Sequence, residues 1–199
     1  MNFENELSHS LEESLRTKRE FWDKHRKSFF LGAEMLWNAV QSDKKVLIFG
    51  NGGSACDAIH FAGEWVNRYK RDRRPLPCMA LTADGPLLTC IGNDASFDEI
   101  FEKPVLAFGQ TDDIAIGIST SGNSENVIRG LYAARSKGMQ TIALVGGTGG
   151  RILKETHADI IVNVDSSKTT ARIQETHEWI LHAFCEYIDF QLLGPELSQ

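Results

Sequence analysis

The strongest constraint on the fold is a rhythm that begins after residue 44. Five short apolar runs, at 45–49, 78–81, 114–118, 141–145 and 160–164, alternate with stretches of helical character at 54–69, 97–108, 124–137, 151–156 and 169–193. Each run is too short for a stable helix, and several are rich in Val and Ile. Strands that are apolar along their whole length are buried on both faces, as in a parallel sheet covered by helices above and below. The alternation therefore predicts an α/β fold with an open, doubly wound, five-stranded parallel sheet flanked by helices. Five strands fit an open sheet better than a barrel.

The first 43 residues read differently. Leu7, Leu11, Leu15, Phe29, Phe30, Leu31, Met35, Leu36 and Val40 recur at helical spacing, without Pro, and Gly32 is read as a bend between two helices. Such an arm packs either on a partner subunit or on its own domain. The whole chain, 1–199, is read as one domain, with the helical arm at 1–43 and the α/β core at 44–199. An apolar content of 42% suffices for a packed core at this length.

A net charge of −6 argues against a nucleic-acid partner. The basic stretch at 68–74 has two readings: a solvated loop, or local positive potential for an anionic small molecule. Cys56, Cys78, Cys90 and Cys185 show no CxxC spacing and read as reduced thiols. The charged N-terminus does not resemble a signal peptide, and no apolar run approaches the ~18 residues that span a bilayer. The expectation is a soluble cytoplasmic protein, with no membrane partner.

In a doubly wound sheet, ligands bind beyond the carboxyl ends of the strands. The loop after the third run reads STSGNS, placing Ser119, Thr120, Ser121, Asn123 and Ser124 around Gly122 and just before a helix. Hydroxyls and free N–H groups at a helix N-terminus bind anions, phosphate above all. Simple N-capping by Ser124 is the plainer alternative, yet a cap needs one hydroxyl and the loop has four. NGGSA (51–55) occupies the same position after the first run; it lacks the Lys and the spacing of a Walker A loop. GGTGG (146–150) reads as a structural turn.

On the helix after NGGSA, His60 and Glu64 share a face. In TARIQETHEWILH, Gln174 and His182 are separated by two turns plus about 80°. Two His, one Glu and one Gln suit zinc, with Glu64 also placed to act as a general base. Ordinary surface or core histidines are the alternative, and His177 and Glu178 offer competing pairings.

NGGSACDAIHFAGEW, IGND, GISTSGNSENVI and RIQETHEWILH, in this order and spacing over nearly the whole chain, resemble the bacterial phosphoheptose isomerases, members of the sugar isomerase (SIS) domain family. The resemblance implies an aldose–ketose isomerase that converts sedoheptulose 7-phosphate to D-glycero-D-manno-heptose 7-phosphate, the first step toward ADP- or GDP-heptose. It implies a homotetramer with active sites at subunit interfaces and one Zn²⁺ per subunit, held by His60, Glu64, Gln174 and His182. It assigns Glu64 as base and His182 as partner acid or ring opener. Substrate contacts carry over to Asn51, Gly52, Gly53, Glu64, Arg68, Asn93, Asp94, Ser119, Thr120, Ser121, Ser124 and Gln174, with Ser54 placed beside the phosphate. Some members have Asp three residues before the Gln; here that residue is Ala171.

This chemistry needs a base and an acid to move a proton between neighbouring carbons through a cis-enediol(ate), and no covalent nucleophile. Two rival readings remain: a non-catalytic SIS protein that binds the bacterial replication initiator, and an isomerase or sensor for another phosphosugar. The former has Asn where this chain has His182, and a sensor has no use for the His/Glu/Gln set.

Overall fold

A computed structural model describes residues 2–195. The elements run α1 (Phe3–Gln41), β1 (Val46–Gly50), α2 (Gly53–Val66), β2 (Cys78–Ala80), α3 (Gly85–Asp94), a 3₁₀ turn (Phe97–Glu99), α4 (Glu102–Phe108), β3 (Ile114–Ser119), α5 (Glu125–Ser136), β4 (Gln140–Gly146), α6 (Gly150–Lys154), β5 (Ile160–Val164) and α7 (Thr170–Leu193). All five strands pair in parallel, in the order β2-β1-β3-β4-β5. The order reverses between β1 and β3, and that switch point opens a crevice at the carboxyl ends of the strands.

Strand side chains alternate between two apolar layers, as the twofold pleat requires. Val46, Ile48, Ile116, Ile118, Ile142 and Leu144 face the layer built with α1, α2 and α7. Leu47, Phe49, Ala115, Ala143 and Val145 face the layer built with α3, α4, α5 and α6. Both faces are thus covered, which explains the unbroken apolar runs.

Three expectations are corrected. Gly32 does not bend the arm: α1 is continuous for 39 residues, about 58 Å at 1.5 Å per residue. A Cβ at Gly32 would stand 3.1 Å from the Phe184 ring, so the glycine serves close packing against α7. The loop after β2 holds an unanticipated helix, α3, whose first turn carries Pro86 and whose Asp84 caps the Leu87 N–H at 3.0 Å. The 97–108 stretch is two pieces, because Pro104 cannot donate to the Ile100 carbonyl as a continuous helix would require.

The arm divides in its packing. From Thr17 onward it is buried at helical spacing against its own core. Leu7, Leu11 and Leu15, one turn apart, remain more than half exposed.

Candidate active site

The site is built on two loops and two helices. Gly50 pairs with Ile118 at the ends of β1 and β3, so the loops that follow these strands are neighbours. Asn51 and Asn126 lock across the crevice by reciprocal amide bonds of 2.8 and 2.9 Å. Asn126 carried no signal in the sequence beyond its place at the start of α5.

The serine loop is rigidly held. Gly122 has a positive φ of 66°, and a Cβ there would lie 2.0 Å from the Gly149 carbonyl oxygen. The Ile152 N–H donates to the Gly122 carbonyl, and the Arg151 N–H to Asn123 Oδ1. GGTGG therefore acts as the structural turn expected of it, buttressing the serine loop. Ser124 stands at the N-cap of α5 but makes no side-chain cap bond; its hydroxyl meets that of Ser119 at 3.0 Å. The plain capping reading fails, and the first N–H groups of α5 keep their anion-binding capacity. Thr120 and Ser121 lie on the same turn, with Ser121 Oγ accepting the Asn123 N–H.

Helix α2 likewise begins without a side-chain cap, at Gly52. Ser54 is buried in its first turn. Beside it, Asn51, Gly52, Thr82, Thr89, Phe97 and Phe101 line a cavity of about 390 Å³.

Further along, α2 and α7 bring four ionisable side chains together. His60 Nε2 lies 2.8 Å from His182 Nε2, 3.2 Å from Glu178 Oε1 and 3.6 Å from Glu64 Oε1. His182 Nε2 lies 3.3 Å from the same Glu178 oxygen. His60 Nε2, His182 Nε2 and a Glu178 oxygen fall within 4.8 Å of one another, and imidazole nitrogens with a carboxylate oxygen are donors that zinc accepts. Burial first, and then the neighbouring His60, hold the His182 pKa below its usual value. Burial raises the Glu178 pKa, and the nearby Glu64 charge adds to the rise.

Gln174 is not in this group. Its Nε2 donates to Asp57 Oδ1 at 3.0 Å, and its amide lies over Gly53, where a Cβ would approach it to 2.5 Å. Desolvation raises the Asp57 pKa to about 6, against the Gln174 bond, which lowers it. His177 is turned inward, fully buried, with Nε2 donating to the Val145 carbonyl at 2.9 Å; burial lowers its pKa to about 4 and keeps it neutral. Asn93 and Asp94 lie at the exposed end of α3, where the Asn93 amide donates to Asp94 Oδ1 at 2.7 Å. Arg68 is exposed beyond α2 and pairs with Asp72 at 3.3 Å.

The basic stretch is spoken for largely within the chain. Lys70 pairs with Glu186, and Arg74 with Asp43. Arg73 is buried against Asp189 at 3.1 Å and donates to the Glu64 and Trp65 carbonyls, closing the end of α2. Sequence reasoning passed over Asp57, Arg73 and Asn126 and did not commit to Glu178. Only Glu178 had a legible signal: it lies four residues from both Gln174 and His182, midway between them on the same helix face.

The SIS domain family model matches residues 11–146. A phosphoheptose isomerase of Aquifex aeolicus is 46% identical over 177 residues, covering 89% of this chain and 91% of its own. The structure of a phosphoheptose isomerase from Neisseria gonorrhoeae superposes with a TM-score of 0.88 at 40% identity, over 94% of this chain and 99% of that one. One from Francisella tularensis superposes with a TM-score of 0.89 at 36% identity, over 95% and 99%.

Proposed function

The chain belongs to the phosphoheptose isomerase branch of the SIS domain family, and from that premise we propose that it interconverts sedoheptulose 7-phosphate and D-glycero-D-manno-heptose 7-phosphate. The observation that carries the chemistry is the convergence of Glu64, His60, Glu178 and His182 between α2 and α7. Glu64 takes the proton from C1 of the ketose, and the C–H electron pair becomes the C1=C2 bond as O2 is protonated from His182. The enediol then returns its O1 proton to His182, and C2 receives the proton carried by Glu64, leaving the carbonyl at C1 and both residues as they began. The serine loop and the uncapped start of α5 hold the phosphate, so distal binding energy positions the reacting carbons.

His60 and His182, with carboxylates beside them, are the residues that would hold a zinc ion. Bound there, zinc supplies Lewis-acid polarisation of the sugar oxygens. Asn51, Gly52, Gly53, Ser54, Asn93, Asp94, Arg68 and Gln174 complete the proposed substrate contacts. The exposed Leu7, Leu11 and Leu15 stripe, together with the open position of His60, supports a homotetramer with active sites at subunit interfaces. No described helix is long and apolar enough to cross a membrane, and we place the reaction in the cytoplasm.

The initiator-binding reading has no observation in its favour: the relatives named above are isomerases, and His182 sits within the acid–base group. The test is aldose formation from sedoheptulose 7-phosphate, with and without added zinc. Metal-dependent turnover supports the reading; no turnover with any divalent metal overturns it.

A further inference from the structure

We propose that Asn126 is a positioning residue for the isomerisation: its amide pair with Asn51 clasps the phosphate-binding start of α5 to the loop that leads into α2, and so holds the reacting carbons in line with the proton-transfer groups. The proposal rests on the isomerase reading above and goes beyond it by giving a role to a buried side chain outside the substrate contacts.

Three observations carry it. The first is where the pair stands. β1 and β3 flank the point at which the strand order reverses, and their ends meet where Gly50 pairs with Ile118. Asn51 follows β1 and leads into α2, while Asn126 is the second residue of α5, which follows β3. Helix α2 packs on one face of the sheet through Ala58, Phe61 and Trp65, and α5 on the other through Val127 and Leu131. The two helices belong to different apolar layers, and the amide pair ties their starts together across the crevice.

The second is the completeness of the pair. Asn51 Nδ2 donates to Asn126 Oδ1 at 2.8 Å, and Asn126 Nδ2 returns a bond to Asn51 Oδ1 at 2.9 Å. Each amide is donor and acceptor at once, so neither turns away without losing both bonds. Asn126 is 2% exposed, so water does not replace a lost bond there. Asn51 is half-buried at the edge of the cavity beside the first loop, and keeps one N–H and one carbonyl lone pair for a sugar hydroxyl.

The third is what the pair prevents. An Asn in the first turn of a helix competes for the backbone N–H groups there. Here Asn51 takes up the Asn126 amide, Ser119 takes up the Ser124 hydroxyl at 3.0 Å, and α5 has no side-chain cap bond. The N–H groups that face a phosphate stay open. A phosphosugar bridges the two helices, with its phosphate at α5 and its reacting carbons toward α2. The span is set by what fixes one helix start against the other, and an error of about 1 Å in such a span can cost about 10²-fold in rate.

The test compares the unsubstituted chain with Asn126→Leu and Asn126→Asp. It reads kcat and KM on sedoheptulose 7-phosphate and competitive inhibition by inorganic phosphate, with Tm to show that each variant is folded. Asn126→Leu is close in volume and removes both bonds. Its kcat should fall by about 10–100-fold, with phosphate inhibition unchanged because the serine loop is intact. Asn126→Asp separates the pair from a packing role. Its carboxylate accepts from Asn51 Nδ2 but sets an oxygen against Asn51 Oδ1; protonated, it donates there and restores both bonds. Burial raises the pKa of such a carboxyl, so the ratio of its kcat to that of the unsubstituted chain should rise as pH falls from about 8 to about 5.5, while the Asn126→Leu ratio stays flat. Glu64, Glu178, His182 and the substrate phosphate titrate in every protein and cancel in the ratio. Glu125 and Arg129, the charged neighbours on α5, are paired with Arg151 and Glu102. Normal kcat in both variants overturns the proposal. So does phosphate inhibition that weakens in step with kcat, which would put Asn126 in the anion site itself. A flat Asn126→Asp ratio overturns it as well, and reads even where Asn126→Leu fails to fold. These three results leave the isomerase reading standing, whereas an unsubstituted chain without turnover overturns that reading and this proposal with it.

Discussion

Removing Arg73 should both destabilise the protein and slow it, because one buried guanidinium serves two structures. The Arg73 and Asp189 side chains are 2% and 5% exposed, so their ion pair, made through Asp189 Oδ1, is desolvated, and Asp189 Oδ2 has no hydrogen-bond partner among the described residues. In Arg73→Met the carboxylate would be left buried and uncompensated, which costs about 3–5 kcal/mol. For a chain of this size each kcal/mol lowers Tm by about 2–4 °C, so the expected drop is about 6–20 °C. Arg73→Met/Asp189→Leu removes both charges and should recover much of that loss, because an apolar pair of similar volume replaces a buried ion pair at little cost. The second role is at the end of α2, where Arg73 donates to the Glu64 carbonyl at 2.8 Å and the Trp65 carbonyl at 2.8 Å. The double variant lacks these bonds too. It should therefore regain Tm without regaining kcat, while KM stays near that of the unsubstituted protein. Thermal unfolding and steady-state kinetics on the three proteins decide it. A single variant that loses less than 1 °C, or a double variant no more stable than the single, would refute the argument from the buried charge.

Glu64→Gln, which keeps the volume and removes the base, should lower kcat by about 10²–10⁴-fold with Tm unchanged; normal turnover would remove Glu64 from the proton transfer. Ser119→Ala with Ser121→Ala should raise KM for the phosphosugar by about tenfold or more, given about 1.5–3 kcal/mol for a hydrogen bond to a charged group; an unchanged KM would count against phosphate at that loop. His177 gives a pH signature. Its pKa falls from 6.5 to about 4 on folding, so below pH 6.5 the unfolded chain binds a proton that the native one refuses. That contribution is whole above pH 6.5 and is lost as pH falls toward 4, by about 3 kcal/mol in all. Urea unfolding of His177→Gln between pH 4 and 7 should show a flatter pH dependence than the unsubstituted protein, and parallel curves would exclude the histidine as the cause.

The parallel sheet was legible because burial on both faces forces each strand to read as an apolar run, and each run in the sequence became a strand within a residue or two of its expected ends. Helix α3 was hidden because its ten residues include two glycines, a proline and exposed positions, which weaken the periodic signal. The straightness of α1 was hidden for a related reason. Whether a glycine bends a helix or admits a neighbour depends on what packs against it, and at Gly32 that is the Phe184 ring, 152 residues away in sequence.

The site divides along the same line. The serine loop was readable because its chemistry is local: hydroxyls, a glycine and a helix start within six residues. The acid–base group was readable one helix at a time, and His60, Glu64 and His182 do meet. What no single helix states is the register between two of them. Gln174, Glu178 and His182 occupy one face of α7 at successive turns, and sequence spacing alone ranks them equally as partners for His60. Side chains outside the group set the choice: Gly53 leaves room for the Gln174 amide, Asp57 holds it there, and Arg73 with Asp189 pins the far end of the pair. With those contacts fixed, the turn of α7 that comes level with His60 is the one bearing Glu178. The missing side chain at Gly53, by seating the Gln174 amide, thereby helps to set which turns of α7 stand level with His60. Filling the space over Gly53 should disturb the group two turns away on α2, even though Gly53 touches none of its members.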